Sequence, residues 1–142
     1  MQECVFCKIV NKQIPAFKIF ENEKFIAILD IKPIAKGHAL IIPKTHYETI
    51  QEMPETDCEQ LLQAFKKVSS AIVKALKADG FNIGLNNGRA AGQEIMHCHW
   101  HIIPRFNNDG LKSWPQTSAS EQELKKIHEQ ILNVLNSQEL PL

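Results

Sequence analysis

The sequence predicts an α+β fold, in which a mainly antiparallel sheet of about five strands carries one long helix and one C-terminal helix. Three observations predict it. Short apolar runs recur between Pro, Gly and Asn turns, as strands do. Residues 56 to 79 repeat apolar side chains at helical spacing. The stretch from His97 to Arg105 alternates, which on a strand puts His97, His99 and His101 on one face and Cys98, Trp100 and Ile102 on the other.

A chain of 142 residues is long enough for one domain with a real core and too short to suggest two. Lys and Arg number 16, as do Asp and Glu, so no net field draws the protein to nucleic acid or an anionic membrane. An anionic ligand must instead be held by local donors. No apolar run approaches the ~20 residues of a membrane span, and the N-terminus lacks a signal-peptide core. Four cysteines without a secretory signal read as thiols or metal ligands in a reducing compartment. The expectation is a soluble cytoplasmic protein, with no nucleic-acid or membrane partner.

Taken in order, Cys4-Val5-Phe6-Cys7 comes first. A C-x-x-C pair suits half of a tetrahedral zinc site, a redox dithiol, or a buried pair of thiols. Gln13-Ile14-Pro15 reads as a turn, and residues 17–21 and 25–30 as two strands around Asn22-Glu23. Asp30 ends the second strand before a loop with Pro33 and Gly37. An acid there accepts hydrogen bonds from ligand hydroxyls, or caps the turn. Residues 38–43 form a third strand, flanked by His38 and His46.

The long helix over 56–79 opens on a capping box of Thr56 and Glu59. Its stripe is Leu61, Phe65, Val68, Ile72 and Leu76, and Gly80 supplies the C-terminal cap. Cys58 in its first turn is incidental. Residues 81–85 form a fourth strand, and 86–94 a polar, Gly-containing loop that cradles a phosphate or simply closes a hairpin. The histidine strand follows. After Arg105 come a flexible stretch, Trp114-Pro115, a second capping box at Ser120 and Glu123, and an amphipathic helix through Leu124, Ile127 and Ile131. His128 lies in that helix and carries no assignment.

A row of imidazoles on a half-buried strand needs a reason, because each brings polar nitrogens that must be paired. Three readings compete for it: hydrogen-bonded core histidines, a shared metal ion, or nucleophilic and acid–base catalysis.

Cys-x-x-Cys, the strand ending at Asp30, Gly-His-Ala-Leu-Ile-Ile-Pro-Lys-Thr-His, Asn-Asn-Gly…Ala-Gly-Gln and His-x-His-x-His-Ile-Ile-Pro-Arg occur in that order. Together they closely resemble the histidine triad (HIT) superfamily, over residues of about 4 to 105. The segment from 106 to 142 matches more loosely, and looks more like bacterial HIT proteins than the eukaryotic Hint branch. The resemblance implies a single HIT domain over 1–142 and a hydrolase acting at the α-phosphate of purine nucleotides. Its substrates would be dinucleoside polyphosphates or nucleoside phosphoramidates, with AMP released. It also implies a homodimer whose sheets join. Alternatives are a nucleotidyl transferase or phosphorylase of the same superfamily, and a zinc-stabilised nucleotide-binding protein with vestigial activity. A metal hydrolase ranks last.

By motif position, the resemblance makes His99 the nucleophile that carries a nucleotidyl intermediate, and gives His101 to the phosphate and leaving group. Gln93 and Asn86 would stabilise charge on the phosphate oxygens. Asp30 would take both ribose hydroxyls, and Phe6, Ile9, Ile28 and Ile31 would form an apolar slot for the base. In zinc-bearing branches Cys4, Cys7, His46 and His97 match four ligands of a structural Zn2+, and no organic cofactor is implied. His38 is left as a buried orienting partner near the triad. Trp114-Pro115 is expected near the site, where the C-terminal segment shapes leaving-group choice.

Overall fold

The sheet of about five mainly antiparallel strands that the sequence predicts is present; its five strands pair in the order β1-β2-β3-β5-β4, every neighbouring pair antiparallel. They are β1 (Lys18–Glu21), β2 (Phe25–Leu29), β3 (Ala39–Pro43), β4 (Gly80–Leu85) and β5 (Trp100–Arg105). The helices are α1 (Val5–Val10), α2 (Cys58–Leu76) and α3 (Glu121–Leu135). This is a computed structural model describing residues 4–137, so the outermost residues of the expected 1–142 domain lie outside the described part. The chain folds as two compact units, one ending at Asp109 and the other beginning at Gly110.

Both faces of the central strands are covered, which explains why β2 and β3 read as continuous apolar runs. On one face α2 lays Leu61, Ala64, Val68 and Ile72 over Phe25, Ala27, Ile41, Trp100 and Ile102. On the other, α1 brings Phe6 against Ile26, Ile28, Leu40 and Ile42. The β3–β5 ladder ends at Ile102, so Pro104, which has no N–H to give, sits where only β4 is paired. No helix among the described residues is long and apolar enough to cross a membrane.

Three local expectations are corrected. The box at Thr56 does not form: residues 55–57 wind into a 3-10 turn after Pro54, and α2 starts at Cys58 with no side-chain cap. Gly80 does not cap α2. Lys77 takes the left-handed conformation (φ 54°), Ala78 N–H bonds back to the Val73 carbonyl, and Gly80 is freed to pair with Arg105 as the first residue of β4. The third concerns the histidine strand, whose ladder begins only at Trp100; His97 sits at a bend and His99 in the irregular lead-in before it. Alternation persists there, with Cys98, Trp100 and Ile102 all buried in the α2 layer. The second capping box forms as expected, Ser120 accepting from Glu123 N–H while the Glu123 carboxylate takes Ser120 N–H.

Candidate active site and metal centre

The lead-in to β5 is hydrogen-bonded to the end of β3 at Pro43 and to Tyr47 beyond it, and Phe6 of α1 packs on His97 and His99. His97 is fully buried, and its Nε2–H donates to the Pro43 carbonyl at 2.9 Å. A carbonyl only accepts, so the proton of a neutral His97 is on Nε2 and its lone pair is on Nδ1. That Nδ1 stands 3.3 Å from Cys4 Sγ, 3.6 Å from Cys7 Sγ and 3.1 Å from His46 Nδ1. Cys7 Sγ and His46 Nδ1 are 3.3 Å apart.

A tetrahedral ion with bonds of about 2.0–2.3 Å sets its ligand atoms roughly 3.3–3.8 Å apart. The two sulfurs and two nitrogens already stand near those spacings, so Cys4, Cys7, His46 and His97 could hold a metal ion. Burial and the neighbouring Cys4 thiol push the Cys7 thiol up from its ordinary value. A bound cation reverses that preference, because a coordinating thiol gives up its proton.

His99, also buried, is oriented the opposite way. Its Nδ1–H donates to the His97 carbonyl at 2.7 Å, so the lone pair is on Nε2. Phe6 meets its ring edge-on, with centroids 5.0 Å apart. Burial lowers its pKa, against the opposing pull of the His97 carbonyl and the Asp30 charge, so the imidazole is neutral at pH 7. His101, the one triad member inside the β5 ladder, lies with its ring centroid 5.0 Å from that of His99. Burial, reinforced by His99 and His38, lowers it to about 4. Its Nδ1 is 2.9 Å from His38 Nε2, and His38 Nδ1 accepts Ile34 N–H at 3.1 Å.

Asp30 joins this group at the end of β2. Its backbone N–H donates to the His38 carbonyl, one carboxylate oxygen takes Lys32 N–H at 2.8 Å, and the other lies 3.7 Å from His38 Nδ1. The turn-capping reading of this acid is therefore realised, and one oxygen is left for a ligand.

Gln93 is buried and engaged by the backbone. Its amide donates to the carbonyls of Glu48 (2.6 Å) and Ile95 (3.2 Å), and its oxygen accepts Gly88 N–H (2.7 Å). Both donor hydrogens are thus used in holding the 88–95 loop to the segment after β3. Asn86 donates to the Gly92 carbonyl across the same loop at 3.3 Å. Of the four apolar slot residues, Phe6, Ile9 and Ile28 share the α1-side cluster, whereas Ile31 projects from the loop after β2 and is 83% exposed. Sequence reasoning did not find the orienting backbone groups, the carbonyls of Pro43 and His97 and the N–H of Ile34, because a backbone atom leaves no signal in residue identity.

The model of the HIT domain matches residues 11–108. The chain belongs to the HIT family. It is 45% identical over 123 residues to the adenylylsulfatase HINT3 of Arabidopsis thaliana, covering 87% of this chain and 61% of that protein. It is 40% identical over 131 residues to the adenosine 5'-monophosphoramidase HNT1 of Saccharomyces cerevisiae, covering 91% and 80% respectively. Among solved structures it resembles a Zn-bound histidine triad family protein from Mycobacterium smegmatis. The TM-score is 0.73 at 36% identity, over 93% of this chain and 97% of that one. This HIT protein therefore has the family's fold as well as its motif.

Proposed function

We propose that this HIT protein is a nucleotide hydrolase that attacks the α-phosphorus of adenosine nucleotides with His99 Nε2. One observation carries the reading. His99 is buried, neutral and pinned by Nδ1–H to a backbone carbonyl, so its only free lone pair is on Nε2. Names borne by relatives, adenylylsulfatase and 5'-monophosphoramidase, support an adenylate whose leaving group varies.

In the first step the Nε2 pair forms a bond to phosphorus, and the bond to the leaving group breaks with its electron pair. His101 hydrogen-bonds the departing atom. In the second, the oxygen of water joins phosphorus, the Nε2–P pair returns to nitrogen, and AMP is released. The proton that water sheds passes to solvent, balancing the one an amine leaving group takes up. Asp30 accepts the ribose hydroxyls, and Phe6, Ile9, Ile28 and Ile31 receive the base. Gln93 and Asn86 serve the phosphate by bracing the loop beside it.

Zn2+ held by Cys4, Cys7, His46 and His97 would be structural, since four protein ligands leave it no open position for substrate. The Zn-bound relative supports that choice of ion. We also infer a homodimer: β4 is an edge strand with Phe81 and Ile83 each 42% exposed, the kind of edge that pairs with another copy.

The test is AMP release from an adenosine phosphoramidate and from a dinucleoside tetraphosphate, by wild type and His99→Ala. Turnover of either substrate by wild type alone supports the reading. A folded His99→Ala as active as wild type refutes it. ADP appearing in added phosphate would reassign the protein as a phosphorylase, and nucleotide affinity without turnover as a binding protein.

A further inference from the structure

The four cysteines sort by exposure. Cys98 has no exposed surface, and burial pushes its thiol up to about 12. Cys58 is exposed at the start of α2, outside the metal-binding cluster. Cys4 and Cys7 lie between these extremes, partly exposed, and of the two histidines beside them His97 is buried and His46 exposed. We propose that Cys4 and Cys7 are a reversible redox couple, which a hydroperoxide joins as a disulfide, expelling the ion they hold. Expulsion rests on the zinc reading given above; the disulfide does not.

The backbone brings the two sulfurs together. Cys4 caps α1 in extended conformation (φ −65°, ψ 122°), Cys7 lies in the first turn, and Lys8 N–H closes on the Cys4 carbonyl at 3.1 Å. Both sulfurs approach one nitrogen, His97 Nδ1, at 3.3 and 3.6 Å. All four ligand atoms lie within 4.8 Å of one another. Rotation of two short side chains closes such a gap to the ~2.05 Å of a disulfide. A sulfur that binds a cation is already a thiolate, the form that attacks peroxides.

In the first step one sulfur forms a bond to a peroxide oxygen, the O–O bond breaks, and the departing oxygen takes a proton from solvent. In the second, the other sulfur attacks the new sulfenic acid. The S–S bond forms, the S–O bond breaks, and hydroxide leaves as water after taking a second proton. The two sulfurs lose two electrons and the peroxide gains them, while the ion is not oxidised. The nearness of the second sulfur favours capture of the sulfenic acid over further oxidation. Only His46 and His97 then remain as ligands, two short of a closed tetrahedral site. The disulfide is internal to α1, so it removes both sulfur ties at once from the helix whose Phe6 meets His97 and His99 edge-on.

The full chain, loaded with zinc, is treated with hydrogen peroxide beside a zinc-binding dye, and its cysteines are mapped by mass spectrometry. About one zinc should leave per peroxide consumed, and free thiols should fall from four to about two. The bridged peptide should join Cys4 to Cys7, and dithiothreitol should restore both thiols and zinc binding. Cys58→Ser, which removes the exposed competitor, should release zinc at a rate within about twofold of wild type. Zinc retained while Cys58 alone is oxidised overturns the inference. So does conversion of Cys4 or Cys7 to sulfinic acid with no disulfide, or a disulfide that dithiothreitol does not return. A chain that binds no zinc yet forms the Cys4–Cys7 disulfide reversibly keeps the couple and ends the zinc reading.

Discussion

Mild acid should destabilise this protein, and His101 sets a measurable part of the effect. Folding holds its pKa down to about 4, chiefly by burial, against about 6.5 in an unfolded chain. The folded state therefore binds fewer protons. The stability that a neutral His101 contributes is complete above pH 6.5 and is lost as pH falls towards 4. Between pH 7 and pH 5 the unfolded residue takes up most of a proton and the folded one about a tenth, which integrates to about 1.8 kcal/mol. Part of the ring still meets solvent, so about 1–2 kcal/mol is the expected loss. Urea unfolding of wild type and His101→Gln at both pH values reads it, because the acid-linked losses from His97 and any bound metal cancel to first order between the two proteins. Wild type should lose about 1–2 kcal/mol more than the variant on acidification. Equal losses within ~0.5 kcal/mol, or a wild type stabilised by acid, would refute the reasoning that burial depresses this histidine.

Replacing Cys4 or Cys7 by Ser should abolish stoichiometric zinc by elemental analysis and lower the melting temperature; retention of one zinc per chain in both variants would eliminate the four-ligand centre. Ile102→Ala, at a position with no exposed surface between α2 and the sheet, should cost about 2–5 kcal/mol in chemical denaturation. Gly37→Ala should destabilise by about 1–3 kcal/mol. Its backbone sits at φ +86° and a Cβ there would run into the Leu76 side chain, so thermal melts unchanged from wild type would contradict the loop geometry that delivers His38.

The sheet was legible because each strand carries its own signal: apolar runs for β2 and β3, alternation for β5, Pro and Gly between them. The metal centre was legible only in halves until the resemblance joined Cys4 and Cys7 to His46 and His97, since partners 39 to 93 residues apart leave no local pattern. What escaped was decided by competition between neighbours. The box at Thr56 is a valid helix start, but Pro54 leads the chain into a 3-10 turn first. Gly80 is a valid helix stop, but pairing with Arg105 recruits it into β4. Helix α1 has six residues, no side-chain cap and no acidic residue in its first turn, so its sequence offers little beyond Lys8 in the last turn to favour a helix over a loop. Phe6 and the two cysteines hold it in place through contacts with distant residues. Gln93 reads as a free amide donor in sequence, and only its burial reveals that the backbone has claimed it.

The pairing of Cys4 with His97 also bears on the order in which the chain assembles. An ion bridging Cys4 and His97, 93 residues apart, would close a ring around nearly all of the sheet. Closing so long a loop in the unfolded chain costs roughly 4 kcal/mol by the (3/2)RT ln n rule. Capture is therefore expected after β3 and β5 have paired, when that entropy has already been lost. Uptake of such an ion would then be a late event of folding and a report that the sheet has formed. In reverse, loss of such an ion would leave the six-residue N-terminal helix, which covers the Phe6 side of His99, held by its apolar contacts alone.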